Sequence, residues 1–130
     1  MKFKEPKAIY LQIADRICDE IVQGRYAEEE RVPSVREYAA LVEVNVNTAM
    51  RSYEYLQSAQ IIYNKRGIGY FVSPGAREEI LTMRRRQFLR EELPDLFRTA
   101  YTLGLPMEEM LRQYADWEQR EKKNEDHLSS

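Results

Sequence analysis

Cysteine and histidine, the residues most used for metal binding and nucleophilic chemistry, are nearly missing from this sequence. Its 130 residues include one cysteine, Cys18, and one histidine, His127. Neither a zinc cluster nor a disulfide framework can be assembled from that stock within one chain. No Gly-rich phosphate loop, Walker motif or metal-ligand spacing is present, and no paired nucleophile and base. The expectation is a protein that is not an enzyme and needs no cofactor. Long apolar runs are also lacking, well short of the ~20 residues that span a bilayer. Met1-Lys2-Phe3-Lys4-Glu5-Pro6 is not followed by an apolar segment, so no secretory signal and no membrane are expected. The one thiol fits a reduced, cytoplasmic setting. A basic excess is missing too: 20 Lys and Arg face 22 Asp and Glu, for a net charge of -2. That argues against a uniformly basic nucleic-acid binder, but a local basic face can sit beside an acidic remainder.

What is present reads as globular, with 43% hydrophobic and 32% charged residues. From Ala8 to Gln23, Tyr10, Ile13, Ala14, Ile17, Cys18 and Ile21 recur at helical steps, opposite Gln12, Asp15, Arg16, Asp19 and Glu20. Cys18 falls on the apolar stripe and reads as a small core residue. Gly24 ends this helix. Pro33 then breaks the chain before Ser34-Val35-Arg36-Glu37, a capping box that predicts a helix to about Val42. After the Glu43-Val44 turn, Asn45 is placed to cap a further helix, whose inward stripe is Ala49, Ser52, Tyr53 and Leu56. Asn47, Thr48, Met50, Arg51, Glu54 and Tyr55 are left at or near the outside. Two short helices around a tight turn form a helix-turn-helix. Ile61–Asn64 and Tyr70–Val72 read as strands. Between them Lys65-Arg66-Gly67-Ile68-Gly69 is a flexible basic tip suited to a wing along DNA.

Ser73-Pro74-Gly75 marks a boundary. A winged helix-turn-helix is therefore assigned to residues 1–74, and a helical region with a frayed charged tail from about Glu121 to residues 75–130. The class is mainly α with a small β-hairpin. Leu93-Pro94 is expected to interrupt the second region, Gly104 to end a helix, and Pro106 to open the last one. Arg84-Arg85-Arg86 reads as a solvated helix face paired with Glu78, Glu79, Glu91 or Glu92. These helices are too few and short to close a core alone. A homodimer is expected, with Ile80, Leu81, Phe88 and Phe97 at its interface, joined by Tyr101, Leu111 and Tyr114. A dimer sets two recognition helices about one DNA turn apart, which suits a palindrome.

Ala8-Ile9-Tyr10-Leu11-Gln12-Ile13-Ala14, Val32-Pro33-Ser34-Val35-Arg36-Glu37, Asn45-Val46-Asn47-Thr48, Arg51-Ser52-Tyr53 and Lys65-Arg66-Gly67-Ile68-Gly69 together resemble the GntR family of bacterial transcription regulators. The likeness covers about the first 72 residues, in order and with matching spacing. The short helical remainder is similar to the YtrA subfamily, which lacks large effector domains. The resemblance implies a repressor on double-stranded operator DNA, in which Arg36 reaches guanine, Asn47, Thr48 and Arg51 lie near bases and phosphates, and Asn45 belongs to the same DNA-binding set. Ser34 would cap its helix and touch a phosphate. Gly67 and Gly69 would let the wing backbone approach the minor groove, with Lys65 and Arg66 beside it. Val46, Met50 and Ile68 depart from residues common in the family at those positions. A small-molecule effector is a further candidate partner, whose site would lie between protomers. The competing reading is a winged helix used for protein–protein contact without specific DNA binding, which Met50, Tyr55 and Ile68 keep open.

Overall fold

The computed structural model of the chain describes residues 7–128. In order they form α1 (Ile9–Val22), α2 (Val35–Val42), α3 (Val46–Ser58), β1 (Ile62–Lys65), β2 (Gly69–Val72) and α4 (Ala76–Gln87). A π-helical turn (Phe88–Glu92), α5 (Leu93–Thr102) and α6 (Met107–Leu128) follow. The chain divides into two compact units, the first ending at Arg85 and the second beginning at Arg86. No helix among the described residues is long and apolar enough to cross a membrane.

In the first unit, the apolar stripe of α1 packs with those of α2 and α3. Ile17, Tyr38, Tyr53, Leu56, Ile61 and Ile62 are all but fully buried. Cys18 lies in this core, and burial pushes its thiol up to about 11. The α1 terminus closes as the sequence implied. Gly24 takes φ +87, its N–H donates to the Ile21 carbonyl at 3.0 Å, and the Arg25 N–H donates to Glu20 at 2.9 Å. That pairing is the Schellman motif, and its left-handed residue is where glycine lacks a Cβ penalty.

One residue departs from the amphipathic reading of α1. Glu20, placed on the polar face, is only 6% exposed. The Tyr38 hydroxyl donates to its Oε1 at 3.0 Å, and Arg16 Nε stands 3.5 Å from the same oxygen. Burial, followed by the Glu20 carboxylate, drives the Tyr38 phenol well above its usual range. A charge buried this way needs partners, here one from α2 and one from its own helix.

The hairpin runs antiparallel with Ile62 opposite Val72, Tyr63 opposite Phe71, Asn64 opposite Tyr70 and Lys65 opposite Gly69. Its second edge is held as well. The Val32 N–H donates to Tyr70 at 3.0 Å, the Val72 N–H to Glu30 at 2.9 Å, and Arg31 bridges Phe71. The segment just before α2 thus acts as a third edge to the sheet.

The first unit continues past the expected boundary at Ser73-Pro74-Gly75, because α4 docks on α1. Ala76 and Ile80 are buried in the common core and Met83 packs against it. Arg77 Nε donates to the Val22 carbonyl at 3.2 Å, satisfying one open carbonyl of the α1 terminus. Arg84 pairs with Asp19 at 2.7 Å and donates to the Asp15 carbonyl at 3.3 Å. The arginine run is therefore not simply a solvated face matched to glutamates on its own helix. Only Arg85 and Arg86 remain exposed.

In the second unit the chain stays helical through Leu93-Pro94, but α geometry is interrupted just before it by the π-helical turn Phe88–Glu92, and α5 starts at Leu93 with Pro94 in its first turn. A proline inside an α-helix removes a donor and crowds the carbonyl four residues back. Here the preceding turn is widened to π geometry, with the Leu93 N–H donating to the Phe88 carbonyl. Such a bulge takes up one extra residue per turn and relieves that crowding. α5 ends at Gly104, as expected, with the Leu105 N–H donating to Ala100 at 2.9 Å. α6 continues past Glu121 to Leu128. Its charged end is rich in good helix formers and carries a Glu118–Lys122 pair at 3.8 Å.

Candidate nucleic-acid interface

Helix α2 begins with the full reciprocal cap. The Glu37 N–H donates to Ser34 Oγ at 3.1 Å, and the Ser34 N–H donates to Glu37 Oε1 at 3.4 Å. The turn into α3 is made by Glu43 in the left-handed region (φ 57, ψ 50), with the Val44 N–H donating to Ala39 at 3.0 Å. Asn45 then caps α3, accepting from the Asn47 N–H at 2.8 Å. Tyr53 locks the two helices together: its hydroxyl donates to the Pro33 carbonyl at 2.6 Å. Its ring meets Tyr70 edge-on at 5.1 Å and Tyr38 at 6.3 Å. The relation between α2, α3 and the hairpin is therefore set by a buried aromatic cluster.

On this frame the predicted residues divide into two kinds. The side chains of Ser34 and Asn45 are engaged in capping backbone N–H groups. Arg36, Asn47, Arg51, Lys65 and Arg66 are exposed, and Thr48 is half-buried. Among the described residues, neither Arg36, Arg51, Lys65 nor Arg66 pairs with a carboxylate, whereas Arg16, Arg84, Arg98 and Arg112 do. Cations left without intramolecular partners keep their charge available to phosphate or base acceptors.

Some of these cations are nonetheless held in place. Arg51 Cζ lies 4.0 Å from the centroid of the Tyr10 ring on α1. Lys65 Nζ lies 4.5 Å from the Phe71 centroid and 5.9 Å from that of Tyr63, and those two rings stack at 5.8 Å. At the tip, the Ile68 N–H donates to the Lys65 carbonyl at 2.9 Å, closing a turn whose third residue, Gly67, takes φ +80. A type II turn asks for glycine there.

Gly69 does something different from Gly67. It sits at φ +143, and a Cβ there would lie 2.9 Å from Nε of Arg31, whereas nothing lies within 4 Å of a Cβ on Gly67. The space over Gly69 is filled by the Arg31 side chain, and the open approach at the tip is at Gly67. Arg31 was missed by sequence reasoning. It is a lone cation before the Val32-Pro33 motif, and its pairing with β2 is a tertiary contact that no local pattern announces. Gly69→Ala is expected to displace the Arg31 side chain and to cost about 1–3 kcal/mol for a strained φ. Urea denaturation of the two proteins measures it, and equal midpoints would contradict this view of the wing.

The residues expected at a dimer interface are not all available for one. Ile80 is 2% exposed, buried in the core of the first unit, because α4 turns that face onto α1. It is withdrawn from the interface set. Leu81 is half-buried. Phe88, Phe97, Tyr101, Leu111 and Tyr114 are exposed, as are Leu103 and Trp117, and among the described residues of the second unit Ala100 is the one buried hydrophobic residue.

Residues 9–72 match the family of bacterial regulatory proteins, gntR family. The chain is 37% identical over 110 residues to the HTH-type transcriptional regulator YhcF of Bacillus subtilis, covering 85% of this chain and 89% of that one. It is 28% identical over 102 residues to the HTH-type transcriptional repressor YtrA of Bacillus subtilis, covering 78% of each. A crystal structure of a putative GntR-family regulator from Bacteroides thetaiotaomicron superposes with a TM-score of 0.79 at 58% identity, covering 88% of this chain and 99% of that one. The capped helix pair, the hairpin beside it and these relatives agree on a transcription regulator with a DNA-binding helix-turn-helix, not an enzyme, and the chain belongs to the GntR family.

Proposed function

We propose that this chain is a repressor that binds a palindromic operator as a homodimer. The observation that carries the reading is the set of exposed cations on α2, α3 and the wing that have no carboxylate partner among the described residues. Arg36, Asn47, Thr48 and Arg51 address base edges and nearby phosphates, while Lys65 and Arg66 lie along the backbone. Ser34 and Asn45 act first as caps that fix where those residues stand. The net charge of -2 does not oppose this, because phosphate attraction follows local charge.

The winged helix supplies DNA binding and the region from Arg86 onward supplies dimerisation. Supporting the second half is the exposure of Phe88, Phe97, Tyr101, Leu111, Tyr114 and Trp117 in a unit with little core of its own. Exposed aromatic and aliphatic surface gathered in one region marks an interaction site. Repression is argued from the similarity to YtrA, a transcriptional repressor.

Two measurements test the proposal together. Sedimentation velocity at micromolar concentration is expected to give the dimer mass. Fluorescence anisotropy on duplex DNA from upstream of the chain's own gene is expected to show binding that a scrambled duplex lacks, with affinity falling steeply as salt rises. A monomer mass would overturn the dimer. Equal weak binding to both duplexes would favour a protein-contact role, in which exposed Leu41, Val46, Met50 and Ile68 become the contact residues.

A further inference from the structure

Two consecutive residues of α3 end on the same residue of α1. The Ser52 hydroxyl donates to the Tyr10 backbone carbonyl at 2.7 Å, and the Arg51 guanidinium lies over the Tyr10 ring with Cζ 4.0 Å from its centroid. Ser52 is fully buried and also donates to Thr48 at 3.2 Å, so the first bond fixes Tyr10 relative to the start of α3. Tyr10 itself is half-buried in the first turn of α1. The backbone that carries the Tyr10 ring is thus held to α3, while the arginine over that half-buried ring is exposed and has no ion-pair partner among the described residues.

The chemistry of guanidinium makes such a platform useful. Stacking occupies the face of the group and leaves the N–H donors around its edge free for a phosphate or a guanine edge. A free arginine must surrender several rotamers on binding, and a pre-seated one surrenders fewer.

We propose that Tyr10 is a positioning residue for operator recognition, holding Arg51 in its DNA-binding geometry through its ring and not through its hydroxyl. The inference rests on the reading of Arg51 as a DNA contact. Lys65 over Phe71 is a similar arrangement on the wing, although its ammonium lacks a planar edge to present.

Anisotropy titrations of the full chain on a specific and a scrambled duplex test this, using Tyr10→Phe, Tyr10→Leu, Arg51→Ala and the double variant Tyr10→Leu/Arg51→Ala. Tyr10→Phe keeps the ring and is expected to bind like the parent. Tyr10→Leu is expected to lose about three- to fivefold on the specific duplex, in line with an exposed cation–π contact. Adding Tyr10→Leu to Arg51→Ala is expected to cause no further loss. A loss in Tyr10→Phe would overturn the proposal in favour of a direct hydroxyl contact to phosphate. An equal loss from Tyr10→Leu in both backgrounds would overturn it in favour of a general structural role, and circular dichroism melts of each variant separate that from unfolding. If Arg51→Ala alone binds both duplexes like the parent, the reading of Arg51 fails, which is a different result from failure of the platform.

Discussion

Arg36→Ala and Arg51→Ala are each expected to weaken binding to the specific duplex by about 5- to 150-fold. That range is what a bidentate arginine–guanine pair is worth, about 1–3 kcal/mol of discrimination. Both side chains are exposed and lack carboxylate partners, so their removal breaks no ion pair among the described residues. Fold stability should therefore change little for Arg36→Ala, with a small loss for Arg51→Ala through its contact with Tyr10. The titration also sorts the two roles. A base contact costs affinity on the specific duplex and spares the scrambled one. A phosphate contact costs both about equally and lowers the salt slope by about 1. Wild-type affinity in both variants would remove them from the interface.

The other large effect concerns pH. Cys18, Tyr38 and Tyr53 are among the proton-bearing groups of the first unit whose neutral form burial favours. The Cys18 thiol rises from 9.0 to about 11, chiefly through desolvation. The Tyr38 and Tyr53 phenols rise above 10.0, also chiefly through desolvation, with the Glu20 carboxylate adding to the effect on Tyr38. A raised folded-state value means that the folded chain holds its proton where the unfolded chain releases it. The stabilisation is thus fully present below pH 9.0 and begins to fall there, as unfolded thiol ionises. At about 1.4 kcal/mol per pH interval, Cys18 alone accounts for roughly 2–3 kcal/mol by pH 11. The two tyrosines steepen the loss above pH 10. Urea midpoints measured from pH 7 to pH 11 are expected to be level up to about 9 and then to drop. Cys18→Ala should move the onset up toward 10. A flat profile to pH 11 would mean that these groups are not buried neutral.

Most of the first unit was legible because its signals are local. The Ser34 and Glu37 cap is complete within one turn of chain, and so is the Asn45 cap. The inward set Ala49, Ser52, Tyr53 and Leu56 follows from helical spacing, and all four are buried. What could not be read depends on residues far apart in sequence. Glu20 is acidic and sits among polar residues of α1, yet Tyr38 from α2 reaches it and makes burial tolerable. Ile80 has the spacing of an interface residue, and only the docking of α4 on α1, with Arg84 on Asp19, shows that its side chain is already covered.

The candidate site divides along the same line. Its residue types and their order were visible in the motifs. The devices that hold the cations were not: Arg51 on Tyr10 joins α3 to α1, and Arg31 over Gly69 joins a loop to the wing. Pro94 and the charged tail show how far such local signs reach. Proline and dense charge are fair local signs of an end, but a π-helical turn admits the first and good helix formers with an ion pair carry the second onward.

The most direct test of a symmetric, sequence-reading regulator needs no knowledge of its operator. Successive rounds of selection from a random duplex library, using the full chain, report what the protein reads. The account predicts enrichment of an inverted repeat whose half-sites lie about one helical turn apart, roughly 10 base pairs, as two recognition helices in a dimer require. Recovery of no enriched sequence after selection at moderate salt would contradict it.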